Sequence, residues 1–286
     1  MTTGSPGFEI RPSSAPVGAE VFGVDLSAPL PDEVFEACEA AFDRYSVLCF
    51  RGQSLTPDAL LAFSRRLGEI KVNAFHQHAL EGFPEVLKVS NLRDEQGRAT
   101  GYADAGSHWH TDMSYTAAPP RRTLLYALEV PQDESGEPLG PTLFASAAAA
   151  YDALDKETRA RIEDLQAVHR FSAKERGVKK PVAVTRAQIE ENPDARHPVA
   201  RPHPKTGRKA LYVRKGECIG IDGMDDSEAL PLIDRLSDLI VEERFIYRHR
   251  WAVGDLLMWD NPAVQHVAIR DYEWPQRRSM WRTTVR

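Results

Sequence analysis

The chain has 286 residues, 42% of them hydrophobic and 27% charged, with a formal net charge of −6. That length buries a substantial core and suits one large β-rich unit, while the acidic balance excludes a general nucleic-acid binder, which needs a basic face to neutralise phosphates. Cys38, Cys49 and Cys218 form neither a disulfide framework nor a C-x-x-C pair, no apolar run approaches the ~20 residues of a membrane helix, and Met1 to Pro16 lacks the apolar core of a secretory leader. The expected location is the cytoplasm, with neither nucleic acid nor membrane as a partner.

Residues 1–7 are expected to fray. Val34, Phe35, Cys38, Ala41, Phe42 and Tyr45 recur at helical spacing, which predicts a helix from Pro31 to Tyr45. Ser46 to Phe50 reads as a buried strand. Thr56, Pro57 and Gly68 then supply the cap, first-turn proline and terminal glycine of a second helix. Residues 91–107 are polar and glycine-rich and read as a loop. Arg122 to Val130 is a strand, and Ala145 to Leu154 and Lys156 to Leu165 are helical. Residues 171–208 are basic, proline-bearing and weakly periodic, so they are expected to lack regular structure. Lys209 to Val213 is a strand. Ser227 to Glu243 is a helix presenting Leu230, Ile233, Leu236, Leu239 and Ile240 on one face, with Pro231 expected in its first turn. Phe245–Trp251, Asp255–Trp259 and Met280–Val285 complete the strands, with a turn at Val253-Gly254-Asp255. The pattern predicts an α+β chain with a largely antiparallel β core.

The sharpest local feature is Trp109-His110-Thr111-Asp112. In an extended strand, residues two apart share a face, so His110 and Asp112 can offer an imidazole nitrogen and a carboxylate oxygen to one ion. A second histidine would complete two histidines and one carboxylate, the set that leaves open positions on iron(II). Nine histidines and 42 acidic residues make about one H-x-[DE] expected by chance, so the pair needs a partner. His266 follows an apolar strand and a turn and is a candidate. His76, His78, His108, His197, His203 and His249 compete with it, and spacing alone does not choose among them.

Arg277, Arg278 and Arg282 lie near the end of the chain. In a strand the even spacing of Arg278 and Arg282 places both on one face. Arginine binds carboxylates through two parallel hydrogen bonds and keeps its charge when partly buried, so an inward pair makes an anion pocket. Met280 and Trp281 beside them argue for a packed strand rather than a solvated tail.

These residues lie in stretches that together resemble the taurine / 2,4-dichlorophenoxyacetate dioxygenase family (TauD/TfdA). The similarity runs from about Ala15 to Val285. It includes GAEVFGVDLSAPL, SVLCFRGQSLT, AFSRRLGEI, WHTDMSY, HPKTGRKALYV, YRHRWAVGDLLMWDN and PQRRSMWRTT, in the family's order. The resemblance implies a single dioxygenase domain over 1–286 whose core is a double-stranded β-helix (a jelly roll) flanked by helices. It implies iron(II) with 2-oxoglutarate as cosubstrate and dioxygen. A small organic anion would be hydroxylated, a carboxylate or sulfonate such as an aryloxyalkanoate, with succinate and carbon dioxide as coproducts. It also implies a homo-oligomer, a dimer or tetramer.

Residue by residue, His110 and Asp112 match the family's H-x-D ligands and His266 the distal histidine. Thr142 in LGPTLF and Arg278 match the residues that hold the distal carboxylate of 2-oxoglutarate, with Arg277 the alternative to Arg278. Arg282 matches an arginine near the substrate's anionic group. Lys71 and Asn73, in KVN, fall at substrate-contacting positions; a histidine is expected at the latter for taurine, and its absence argues against that substrate. Leu139-Gly140-Pro141 stands where the family commonly has Gly-Gly-Asp. Loops 91–107 and 171–208 are the expected lids. The competing readings are a metal-dependent hydrolase on the same ligands, which has no need of Arg278 or Thr142, and a non-catalytic 2-oxoglutarate or anion sensor, which has no need of the three ligands.

Overall fold

The computed structural model describes residues 3–5, 7–72, 76–103, 106–171 and 185–286. In chain order the strands are β1 (Thr3–Ser5), β2 (Phe8–Pro12), β3 (Ala19–Phe22), β4 (Val47–Phe50), β5 (Ala79–Leu80), β6 (Phe83–Ser90), β7 (Arg122–Glu129), β8 (Thr142–Ser146), β9 (Gln166–His169), β10 (Ala195–Pro198), β11 (Ala200–Pro202), β12 (Lys209–Leu211), β13 (Cys218–Ile221), β14 (Ile246–His249), β15 (Leu256–Asp260), β16 (Val264–Ala268) and β17 (Ser279–Val285). The helices are α1 (Asp32–Tyr45), α2 (Pro57–Leu67), α3 (Ala147–Asp152), α4 (Lys156–Ile162), α5 (Arg186–Glu191) and α6 (Asp226–Ile240). No helix among the described residues is long and apolar enough to cross a membrane.

The main sheet has the order β1-β2-β3-β4-β15-β7-β17-β6-β5, and a smaller sheet has the order β14-β8-β16. All their pairings are antiparallel except β3 with β4. The two sheets enclose the jelly-roll core, and side-chain parity shows how. Val47, Cys49, Leu125, Ala127, Leu257, Trp259 and Met280 pack with Phe144 and Val264 of the small sheet. Leu48, Phe50, Leu124, Tyr126, Leu256 and Met258 point the other way, into a second cluster with Phe42 of α1 and Leu60 of α2. Central strands buried on both faces read as unbroken apolar runs, which is why VLCF and LLMWD carry no alternation. On β17 the parity that turns Met280 inward applies equally to Arg282 and to Arg278 just before the strand.

The capped helices form where their sequences specify. The Thr56 hydroxyl accepts the amide of Ala59, and Pro57 opens α2. Asp32 and Glu33 lie at the positive end of α1 and Arg44 at its negative end. A third cluster joins α3 and α6 to Ala167, Leu211 and Ile221 outside the small sheet.

Several expectations are corrected. Pro231 is not in the first turn of its helix: α6 begins at Asp226, so Pro231 lies inside it, tolerated because both it and Ser227, whose carbonyl loses a donor, face solvent. Ala145 and Ser146 belong to β8, and α3 starts only at Ala147, where the Ser146 hydroxyl accepts the amide of Ala149. Within 171–208, residues 172–184 lie outside the described residues, but the remainder is not structureless. Thr185 and Gln188 form a capping box on α5, and β10 and β11 pair with β9 and β12. Ala195 and His197 are buried with Arg196 exposed between them, a strand alternation obscured by the prolines.

Candidate metal centre

The expected strand bearing His110 and Asp112 is not formed. His110 makes an isolated antiparallel bridge with His266, and Asp112 starts a turn in which Met113 takes φ 55. The two side chains converge through that turn rather than through strand periodicity. The bridge is reciprocal: His110 N donates to His266 O at 3.0 Å and His266 N to His110 O at 2.8 Å. The imidazole rings lie 4.1 Å apart.

The potential ligand atoms of His110, Asp112 and His266 all lie within 4.8 Å of one another. Asp112 Oδ1 is 3.6 Å from His110 Nε2 and 3.9 Å from His266 Nε2. Bonds of roughly 2.1 Å at right angles put neighbouring ligand atoms about 3 Å apart, so a closure of under about 1 Å would bring Asp112 Oδ1 to ligand spacing from both imidazoles. His110 Nδ1 is 2.8 Å from His108 O, which fixes the tautomer with a free lone pair on Nε2. The Asp112 carboxylate is 3% exposed. Burial pushes its pKa up, but Arg282 and the two imidazoles outweigh this and hold it well below the usual carboxylate range. Burial, followed by His110, drives His266 well below the usual imidazole range, leaving it neutral and able to ligate.

A hydrogen-bonded chain orients the carboxylate from behind. Thr123 Oγ1 donates to Asp112 Oδ2 at 2.7 Å, and Asn261 Nδ2 donates to Thr123 Oγ1 at 3.0 Å. Asn261 Oδ1 accepts Trp259 Nε1 at 3.2 Å and the Asp112 amide at 3.3 Å. Sequence reading missed Thr123 and Asn261. The Trp-Asp-Asn run after an apolar strand was the available signal for Asn261; Thr123, at the start of β7, had none.

The cleft beside these groups is lined by Val89, Leu125, Thr142, Trp259, Arg278 and Arg282, among others. Arg278 is buried within it, its backbone held through the 2.9 Å bond from its amide to Asn91 Oδ1, and its Nε has no hydrogen-bond partner among the described residues. Arg277 points away and pairs with Glu129 in solvent. Thr142 Oγ1 accepts Trp251 Nε1 at 3.0 Å. Gly140, at φ +70, passes so close to Tyr272 that a Cβ would lie 2.9 Å from its ring and 3.3 Å from Arg278 Nε. The Gly140 amide donates to Asp271 Oδ1 at 2.6 Å, so the Leu-Gly-Pro loop is held by a carboxylate from another part of the chain.

Lys71 is not among the residues lining this cleft. Its amide donates to Thr284 O at 2.8 Å, two residues along β17 from Arg282, and burial, with Arg286, lowers the pKa of its ammonium. Asn73 lies outside the described residues. A second donor group, Cys49, His249 and Asp255, also has metal-ligand spacing. There the Arg51 guanidinium already pairs with Asp255, and burial raises the Cys49 thiol well above its ordinary pKa. That cluster is a buried ion pair with a neutral thiol beside it.

A jelly roll with two histidines and one carboxylate at one end of its core, beside inward arginines, defines a class of oxygen-using metalloenzyme. The family model for the taurine catabolism dioxygenase TauD, TfdA family matches residues 9–284, and the chain belongs to that family. It is therefore a 2-oxoglutarate-dependent dioxygenase that uses iron(II), 2-oxoglutarate and dioxygen. It is 32% identical to the (S)-phenoxypropionate/alpha-ketoglutarate-dioxygenase of Sphingobium herbicidovorans, over 98% of this chain and 96% of the relative. It is 33% identical to the alpha-ketoglutarate-dependent 2,4-dichlorophenoxyacetate dioxygenase of Cupriavidus pinatubonensis, over 93% of each. Among solved structures, a taurine dioxygenase from Burkholderia xenovorans superposes with a TM-score of 0.80 at 30% identity, over 98% of this chain and 89% of that one.

Proposed function

We propose that this enzyme hydroxylates a small organic anion of the aryloxyalkanoate type, releasing succinate and carbon dioxide, with His110, Asp112 and His266 as the iron ligands. The observation that carries the reading is the pair of inward arginines, Arg278 and Arg282, lining one cleft with His110 and His266. A hydrolase on the same ligands has no use for two anion sites beside its metal. Both named relatives act on substrates that carry a carboxylate on an aryl ether.

Bound iron(II), 2-oxoglutarate and dioxygen supply the oxidation; the protein supplies binding, orientation and exclusion of water. Arg278 offers a planar pair of donors to the distal carboxylate of 2-oxoglutarate. Thr142 has its acceptor side taken by Trp251, so its own proton is available for the same carboxylate. Arg282 presents its guanidinium at the substrate side of Asp112 and orients the substrate anion. Val89, Leu125 and Trp259 form the apolar wall that keeps water from the reacting carbon. Gly106 lies against the His110 ring, where a Cβ would be 3.1 Å from Cε1.

The test is a visible spectrum of metal-free protein under anaerobic conditions, on addition of iron(II) and then 2-oxoglutarate. A charge-transfer band that requires both and is lost in His110→Ala supports the assignment, and small anions are then screened for succinate release. A band of equal strength in His110→Ala removes that ligand from the set. No band in the wild-type protein removes the cosubstrate complex itself.

A further inference from the structure

Behind the ligand-bearing turn runs a second turn, residues 213–218, that contains no ligand yet touches every ligand-bearing segment. Arg214 Nε donates to Trp109 O at 2.6 Å, on the residue just before His110. Ser114 Oγ donates to Glu217 Oε2 at 2.7 Å, two residues after Asp112. Gln265 Nε2, beside His266, donates to Val213 O at 2.6 Å. Arg214 and Glu217 close the bracket as an ion pair whose side chains are 3% and 13% exposed. Burial would raise the Glu217 carboxyl, but Arg214 and Ser114 bring it down to about 2, so it is ionised.

An ion pair this deep is a poor stability device, because desolvating two charges costs about as much as their attraction returns. Its placement has a different use. Met113, a non-glycine residue in the left-handed region, sits inside the turn that carries Asp112. Such a conformation is strained and persists only where its surroundings over-determine it. Here the turn is fastened on both sides, at Trp109 and at Ser114, to the same ion pair. The Glu217 carboxylate also adds a negative charge within electrostatic reach of His110.

We infer that Arg214 and Glu217 are positioning residues that hold the His110–Asp112 turn, and through Gln265 the His266 strand, in metal-binding geometry, and so set the affinity for the metal. This rests on His110, Asp112 and His266 being the ligands. The probe is manganese(II) alone, titrated into metal-free protein and followed by the electron paramagnetic resonance signal of the free ion, with no turnover required. Ser114→Ala, which leaves the ion pair intact, is expected to weaken manganese binding about fivefold, and Glu217→Gln by about 10–100-fold, the range for residues that orient metal ligands. The double variant Arg214→Met/Glu217→Met removes both charges together; it should recover thermal stability relative to Glu217→Gln while its manganese affinity stays at least about tenfold weak. Lys215→Ala, on the exposed side of the same turn, should bind within about twofold of wild type.

The inference is overturned if Ser114→Ala and the double variant bind manganese within twofold of wild type, whatever their melting temperatures. Ser114→Ala decides the matter should Glu217→Gln not fold. His110→Ala separates the two levels: if it binds manganese as well as wild type, the ligand assignment has failed. If it loses manganese while Ser114→Ala and the double variant keep it, only the bracket has failed.

Discussion

Arg282 Nη2 lies 2.8 Å from Asp112 Oδ1, the same carboxylate oxygen that faces the Nε2 atoms of both histidines. One oxygen is therefore shared between a guanidinium and the prospective metal position, while Oδ2 is committed to Thr123. On the proposed reading, Arg282 orients an anion arriving beside the ion. Replacing it by alanine is expected to raise KM for an anionic substrate at least about thirtyfold, the loss of a charge-assisted bond of roughly 2–3 kcal/mol. Equal KM values for wild type and Arg282→Ala with a confirmed carboxylate substrate would reject this role.

Arg278 and Arg277 are adjacent in sequence but opposite in environment. Arg278→Ala should raise KM for 2-oxoglutarate by one to two orders of magnitude. Arg277→Ala, losing only a surface pair with Glu129, should leave it unchanged. Steady-state kinetics with 2-oxoglutarate varied distinguishes the two; the reverse pattern would transfer the anchoring role to Arg277.

Thr123→Val keeps the shape of a buried β7 side chain and removes the hydroxyl between Asp112 and Asn261. It leaves one carboxylate oxygen without its donor and should weaken iron(II) or manganese(II) binding about tenfold. Isothermal titration with manganese reads this directly, and an unchanged affinity would mean that Asn261 and Arg282 suffice to hold Asp112.

Gly140→Ala places a methyl group where Tyr272 and Arg278 already stand, on a backbone at φ +70. The variant should lose about 1–3 kcal/mol of stability by denaturant titration and bind 2-oxoglutarate more weakly because Arg278 is displaced. A variant of wild-type stability would show that the loop relaxes freely.

Burial lowers the pKa values of His169, His197 and His249, that of His169 to about 3. The unfolded chain takes up these protons near 6.5, the folded protein only at lower pH. The stability they contribute is complete above about pH 6.5 and is lost as pH falls toward the folded values, by up to about 1.4 kcal/mol per pH unit for each histidine. Glu217 adds a loss of the same sign between about 4.5 and about 2. Urea unfolding at pH 7.5, 6 and 5 should show the decline, and His169→Gln should flatten it by about one proton. A flat or rising profile would contradict it.

How much of this was legible in the sequence depended on how local the cause was. α1 and α2 were readable because caps, a first-turn proline and helical spacing act within a few residues. VLCF and LLMWD were readable as buried strands, yet nothing in them names their sheet partners; the jelly-roll order came through the resemblance. β10 and α5 were lost because prolines and basic residues masked a short alternation and a capping box. The H-x-D pair was visible, but its geometry was not, since a bridge to His266 and a turn at Met113 replace the expected strand. Arg214 and Glu217, in an Arg-Lys-Gly-Glu string, carry no local signal of their place in the fold. Only the folded chain shows what stands in front of them.

The reciprocal peptide bonds between His110 and His266 bear on how the enzyme tolerates change. Amide and carbonyl groups are common to every residue, so this tether survives replacement of the side chains around it. Cleft-wall residues such as Val89 and Leu125 are then free to drift, while the peptide link between the two histidines is inherited unchanged. A scaffold of that kind can retune its choice of molecule without reinventing its chemistry.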